Sequence, residues 1–157
     1  MRRILANAFA GTLALAVLAF GGCNKVRPPT LTEVEGTVLL DGKPLPNAQV
    51  EFQPDLPKFR AEYNSYATTD DNGHFQMVCA HMQTPGAAIG KHRVLVSEPP
   101  APKEFRGMDG ESQERYARYV DGLKNRPIPP QYGAANTTPL NIEVKAGQKT
   151  YDINLSR

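Results

Sequence analysis

Three histidines, His74, His81 and His92, and one acidic turn, Asp70-Asp71-Asn72-Gly73, have the side chains that could hold a metal ion or move a proton. Their spacing argues against both. Zinc sites draw on pairs such as H-E-x-x-H or on paired thiolates, and neither accompanies these histidines. In a calcium loop of the EF-hand type, Asp70, Asn72 and Gly73 would take the third, fifth and sixth positions. Thr68 and Cys79 would then take the first and twelfth, and neither supplies a carboxylate. A tight turn with Gly73 at positive φ accounts for the same residues. There is no G-x-S-x-G element and no Cys/His pair to activate a nucleophile. Of the two cysteines, Cys79 alternates with Phe75 and Met77 and reads as a small buried apolar residue. Cys23 follows Gly21-Gly22 at the end of an apolar run. A Cys23–Cys79 disulfide is the alternative in an oxidising compartment.

The residues before Cys23 have the three parts of a secretory signal. Met1-Arg2-Arg3 is basic, Ile4 to Phe20 is apolar and uncharged, and Gly21-Gly22 is a small-residue cleavage site. An uncleaved membrane anchor is the alternative, because the run approaches the length of a spanning helix. Phe20-Gly21-Gly22-Cys23 resembles a bacterial lipobox, with Phe20 standing where that family usually has Leu. The resemblance implies cleavage of a signal peptide (residues 1–22), then a diacylglyceryl group and palmitate-type chains on Cys23. The expected partner of Cys23 is therefore membrane lipid. Asn24, rather than Asp, follows the cysteine, which by the same analogy favours the outer membrane of a two-membrane envelope. Residues 23–30, with Pro28-Pro29, read as the lipidated cysteine and a tether without a core-forming pattern.

Composition excludes one large class of partner. The formal net charge is +2, and Arg2 and Arg3 are the only charged residues in the signal, so a chain starting at Cys23 is neutral in its side chains. Nucleic-acid binding needs a clustered basic excess, and none is present. The length of 157 residues suits one domain, and 14 prolines with 13 glycines favour strands and turns over a helical bundle.

From Leu31 onward the periodicity is two. Val34, Gly36, Val38 and Leu40 predict one face of a strand. Asp41-Gly42-Lys43-Pro44 predicts a turn, with Pro44 unable to continue a ladder. Ala48, Val50 and Phe52 then predict a second strand, paired with the first as a hairpin. Tyr63 to Thr69 predicts an edge strand. Phe75, Met77 and Cys79 alternate after the acidic turn. Val94 and Val96 mark another strand, with His92 on the same face. Leu140, Ile142 and Val144, then Tyr151, Ile153 and Leu155 predict a closing hairpin around Ala146-Gly147-Gln148. Between Pro99 and Gly133 lies an irregular insertion with a helix predicted over Glu111 to Lys124, where Tyr116, Tyr119, Val120 and Leu123 form an apolar stripe. The expected role of the insertion is a lid over an open sheet edge. About seven short strands, with turn signals every eight to twelve residues, predict an all-β sandwich.

Three stretches resemble the carboxypeptidase regulatory-like domains. They are Gly36 to Val50, with its Asp41-Gly42-Lys43-Pro44 turn, then Thr69-Asp70-Asp71-Asn72-Gly73-His74-Phe75, then Gly90 to Val96. With the signal, the chain resembles small lipoproteins of this type in planctomycete-type bacteria. The resemblance implies a seven-stranded transthyretin-like (prealbumin-like) β-sandwich over residues 31–157, with residues 99–133 as one loop insertion containing a short helix. It also implies a non-catalytic module without a cofactor. Two enzyme groups share such a sandwich. The Tyr-Arg-Gly-Ser ending of hydroxyisourate hydrolases is absent, since this chain ends Asn154-Leu155-Ser156-Arg157, and no spacing matches the Tyr/His iron set of intradiol dioxygenases.

Tyr63, Tyr66, Tyr116, Tyr119 and Tyr132 are the candidate ligand or partner contacts, because loop and edge tyrosines stack on sugars or pack on proteins. The expected function is a membrane-anchored interaction or structural module that docks another envelope protein. A carbohydrate- or small-ligand-binding lipoprotein using these tyrosines is the first alternative. A metal-binding or catalytic domain with histidines converging from separate strand ends is the second.

Overall fold

The computed structural model describes residues 27–57, 61–107 and 109–157. The expected signal segment and Cys23 lie outside the described residues.

Two sheets face each other across one apolar core, as an all-β sandwich. Chain order begins with β1 (Leu31–Thr32), β2 (Glu35–Leu40), β3 (Lys43–Pro44), β4 (Gln49–Pro54), β5 (Ser65–Thr68) and β6 (His74–Gln76). It continues with β7 (Val78–Cys79), β8 (Thr84–Pro85), β9 (Ala87–Ala88), β10 (Gly90–Ser97), α1 (Gly110–Asp121), β11 (Asn141–Val144) and β12 (Ile153–Leu155). Among the described residues, seven of these strands have three residues or more. The larger sheet has six strands in the order β11-β10-β4-β5-β7-β8. The smaller sheet is built on β2, with β12 on one side and β3 and β6 on the other. A short ribbon, β1 with β9, joins them.

The core follows the predicted alternation. Val34, Val38, Leu40, Val50, Phe52, Phe75, Met77, Val94 and Val96 are all buried. Phe52 and Phe75 meet across the sandwich with ring centroids 6.3 Å apart. Cys79 is a buried free cysteine, as its alternation predicts.

Pairing departs from the sequence-based expectation in several places. The turn at Asp41 and Gly42, both at positive φ (53° and 75°), returns the chain only as far as β3. Pro44 does lie in that ladder, opposite Leu39. The flanking Leu45 amide donates to Val38 O at 2.9 Å, so Pro44 occupies a position where no amide proton is needed. The chain then leaves the small sheet, and β4 pairs with β5 and β10 rather than with β2. Thr69 satisfies this crossover: its hydroxyl donates to Leu45 O at 2.7 Å and accepts from Ala48 N at 2.8 Å.

The predicted edge strand at Tyr63 to Thr69 is an interior one. Only Ser65–Thr68 is extended, and it lies between β4 and β7. The predicted closing hairpin is also two separate strands. β11 joins the large sheet beside β10, whereas β12 runs parallel to β2 in the small sheet. The Tyr151 hydroxyl fixes that second crossover by accepting from Lys145 N at 2.8 Å. In each case an apolar period of two identifies a strand and its inner face, and says nothing about which strand lies alongside.

Helix α1 starts and ends slightly earlier than predicted. Asp109 caps it, its carboxylate accepting from Ser112 N at 2.8 Å. No helix among the described residues is long and apolar enough to cross a membrane.

Candidate functional site

Strand directions give the sandwich two distinct poles. At the N-terminal pole the chain enters β1, and Ile89 N donates to Thr30 O at 2.9 Å. The loop between β11 and β12 closes over the same pole, where Glu35 N donates to Lys149 O and Lys149 pairs with Glu33. At the opposite pole lie the β2–β3 turn, the acidic turn, the C-terminus and the insertion. In the acidic turn the Asp70 carboxylate accepts from the amides of Asn72 and His74 at 2.9 and 2.8 Å. These hydrogen bonds, with Gly73 at positive φ, account for the residues that resembled a calcium loop.

One buried side chain clamps the insertion to its pole. The Arg126 side chain is 5% exposed, and its Nε donates to Glu98 Oε2 at 2.6 Å. Its Nη2 donates to the carbonyls of Pro46 and Asn47 at 2.9 and 3.0 Å, and its Nη1 to Lys124 O at 2.9 Å. Glu98, at the end of β10, also accepts from Ile128 N at 3.3 Å. Beside it, Asn125 Nδ2 lies within 3.1–3.2 Å of the carbonyls of Leu40, Lys43 and Pro44. Arg126 therefore ties the first limb, the return limb and the β3–β4 crossover together with one guanidinium fork.

The lid expected over a sheet edge is the return limb rather than the helix. Ile128 and Tyr132 join the core, and Thr138 Oγ1 donates to Val94 O at 2.8 Å where β10 extends beyond β11. The excursion runs on past Gly133, because strand structure resumes only at Asn141.

The five candidate tyrosines do not form one site. Tyr63 is buried in a 3₁₀ turn, and its ring lies 5.1 Å from that of His81. Tyr132 is also buried, its hydroxyl bridging the backbone N–H and carbonyl of Ser156. Burial removes both as ligand contacts, and Tyr132 instead pins the return of the insertion onto the sandwich. Tyr119 accepts from Asn47 Nδ2 at 2.8 Å and so docks α1 on the sandwich, while Tyr116 donates to Pro99 O at 2.6 Å and ties α1 to the foot of the insertion. Tyr66 alone lies on an open sheet face, opposite Glu51 and half-buried.

That face carries a cleft of about 580 Å³ over the N-terminal half of β10. Arg93 stands between Gln53 and Asn141 in register, Lys91 stands opposite Glu143, and Asp55 closes the end of β4. Gln53 Nε2 donates to Glu51 Oε1 at 2.9 Å, and Asn64 Nδ2 to the same oxygen at 2.7 Å. Polar groups thus run from Tyr66 through Glu51 and Gln53 to Arg93. Among the described residues Arg93 makes no ion pair. A surface of this kind can bind a polar ligand through amides, opposite charges and one aromatic ring.

Beneath the cleft, His92 is buried against Phe52, ring centroids 5.6 Å apart. Its Nδ1 lies 3.0 Å from Gly90 O, which requires a proton on Nδ1, and its buried Nε2 has no partner among the described residues. Burial pushes the His92 pKa below the ordinary 6.5, the Gly90 hydrogen bond opposing it to a smaller extent. The unfolded chain therefore takes up a proton near pH 6.5 while the folded one does not. Stability falls as the pH drops below 6.5, until the depressed folded value is reached. Melting the wild type and His92→Leu between pH 7.5 and 5 checks this, with the variant losing less stability on acidification. Equal losses in both proteins would remove His92 from the account.

Among the described residues no three His, Cys, Asp or Glu side chains gather as a metal-binding group. His74 is exposed on β6, His81 is exposed after β7, and His92 is buried on β10. Arg126, Glu98 and the β10 cleft were not singled out from sequence. The available signal for the clamp was one charged residue at each foot of a proline-rich excursion.

A family model described as a domain of unknown function (DUF6795) matches residues 34–96. The match spans β2 to β10 and stops before the insertion. No curated protein and no solved structure matches the chain.

Proposed function

We propose that the protein is a lipid-anchored, non-catalytic module of the bacterial cell envelope, in which the sandwich is a rigid spacer that presents the insertion to another envelope protein. The observation that carries this reading is polarity of the fold: the chain enters at one pole, and Arg126 clamps the insertion at the other. The basic start, the apolar run and Gly21-Gly22-Cys23 support the anchor. Two or more acyl chains hold a protein at a bilayer stably, where one holds it marginally. The resemblance of residues 31–97 to regulatory-like domains of the transthyretin-like type supports a binding or spacing role without chemistry. A fold alone does not specify the partner.

Metabolic labelling with a fatty-acid analogue tests the anchor. Wild type takes up label and fractionates with membranes, and Cys23→Ala loses both. Label retained in Cys23→Ala, or a mature N-terminus elsewhere, overturns it.

A second reading is favoured by the outer-face strip from Tyr66 to Arg93: a lipoprotein that binds a glycan or another polar small ligand in the β10 cleft. The discriminating test is a glycan-binding screen of wild type against Arg93→Ala. Binding that depends on Arg93 supports this reading over docking by the insertion.

A further inference from the structure

Exposed apolar side chains are not spread evenly over this sandwich. Among the described residues the exposed large hydrophobics are Val78, Met82 and Ile89, at 40%, 44% and 36%. Ile89 directly follows β9 and bonds to Thr30, at the point where the tether reaches the fold. β7 runs antiparallel to β5 and carries the chain from Val78 toward the same pole, where Ala80 N donates to Asn64 O and Met82 occupies the turn before β8. The opposite pole, with the insertion, has no exposed large hydrophobic among the described residues. Single exposed apolar residues are ordinary on a soluble domain. What distinguishes Met82 and Ile89 is that both lie at the pole where the tether reaches the fold.

The length of the tether decides what they can reach. Thr30 lies seven positions after Cys23, a span of at most about 25 Å when fully extended. An acyl group on Cys23 therefore keeps this pole within a short distance of the lipid headgroups. At this pole the charges of Lys149 and Lys145 are offset by Glu33 and Glu143 beside them, so these lysines give it no clustered positive patch. Contact through apolar side chains is what it offers. Two or three such side chains hold a free protein poorly, but on an anchored chain the contact is intramolecular and the effective concentration of the surface is high.

We infer that the N-terminal pole rests on the lipid surface, with Met82 and Ile89 in the headgroup region, so that the insertion is held facing away from the membrane. The inference rests on the lipid-anchor reading above, and it replaces a freely swinging domain with an oriented one.

The test uses the full chain, purified from membranes and reconstituted in vesicles of phosphatidylethanolamine and phosphatidylglycerol containing a nitroxide lipid. One fluorophore is placed on Thr84→Cys beside the β7–β8 turn, or on Glu114→Cys in α1, both in a Cys79→Ala background because Cys79 stands opposite position 84 in the ladder. Quenching is expected to be about threefold or more stronger at position 84 than at 114, because interfacial side chains sit only about 5–10 Å deep. Met82→Ser with Ile89→Ser should abolish the difference. Equal quenching at both positions in a protein whose mass shows acylated Cys23 overturns the orientation and leaves the anchor standing. Stronger quenching at 114 overturns it in the same way. A mass without acyl groups at Cys23 overturns both.

Discussion

Arg126→Ala is expected to lower the stability of the folded chain by about 3–5 kcal/mol, the range for removing one partner of a buried ion pair. The loss follows from what the guanidinium leaves behind. Glu98 keeps a carboxylate that is only 26% exposed, and the carbonyls of Pro46, Asn47 and Lys124 lose their donors. Leaving such groups unpaired costs more than the pair contributes when intact. The pairs along α1, Arg115 with Glu111 and Arg118 with Glu114, are half-exposed or more and should contribute little by comparison. Urea unfolding measures the change, and amide exchange of α1 shows where it acts. Because α1 buries no residue of its own, the helix should lose protection first. Arg126→Lys keeps the charge without the fork and should fall between wild type and Ala. A change below about 1 kcal/mol for Arg126→Ala would place the clamp among ordinary surface pairs.

Gly36→Ala should be nearly as damaging, although it adds one methyl group to a strand. The new Cβ would lie 2.0 Å from Tyr151 O and 2.7 Å from its carbonyl carbon. Those are backbone atoms, and Tyr151 is held from both ends. Its amide donates to Glu35 O at 2.8 Å, and its hydroxyl fixes Lys145. Relief requires β12 to move off β2, which gives up the parallel pairing of Ile153 to Leu155 with Val38 to Leu40. A cost of about 3 kcal/mol is expected, at the upper end of that for overpacking a core. Thr37→Ala, one residue on and facing outward, should change stability by under about 1 kcal/mol. Thermal melts of the two variants side by side check the contrast, and equal small shifts would show that β12 yields easily.

Gly36 also shows where a reading of the chain alone stops. Its position in the alternation of Val34, Val38 and Leu40 identifies a buried face and gives no sign of the backbone that crosses it. The same applies to the candidate contacts. Tyr63 begins a stretch that looks like an edge strand and Tyr132 lies in one that looks like a loop, yet both are buried, Tyr63 beside His81 and Tyr132 on the backbone of Ser156. Tyr66 keeps an open position because its alternation, rather than its loop, decides its face. Arg126 and Glu98 are 28 residues apart in sequence and form one ion pair only because the insertion returns to the strand it left.

Local chemistry determined the strands, their inner faces, the Asp41-Gly42 and acidic turns, the burial of Cys79 and His92, and a helix inside the insertion. Each of these is a property of a few neighbouring residues: alternation, positive φ, or an N-cap. Tertiary structure alone decided which strands are neighbours, that β4 and β12 leave their apparent hairpin partners for the other sheet, and that a cleft opens over β10. It also decided which pole holds the tether and which the insertion. Those outcomes depend on contacts between residues far apart in sequence, for which a period of two carries no information. The proposed lipidation of Cys23 rests on the first kind of signal, the resemblance of Phe20-Gly21-Gly22-Cys23 to a lipobox, while the pole it would hold to a membrane emerges only from the fold.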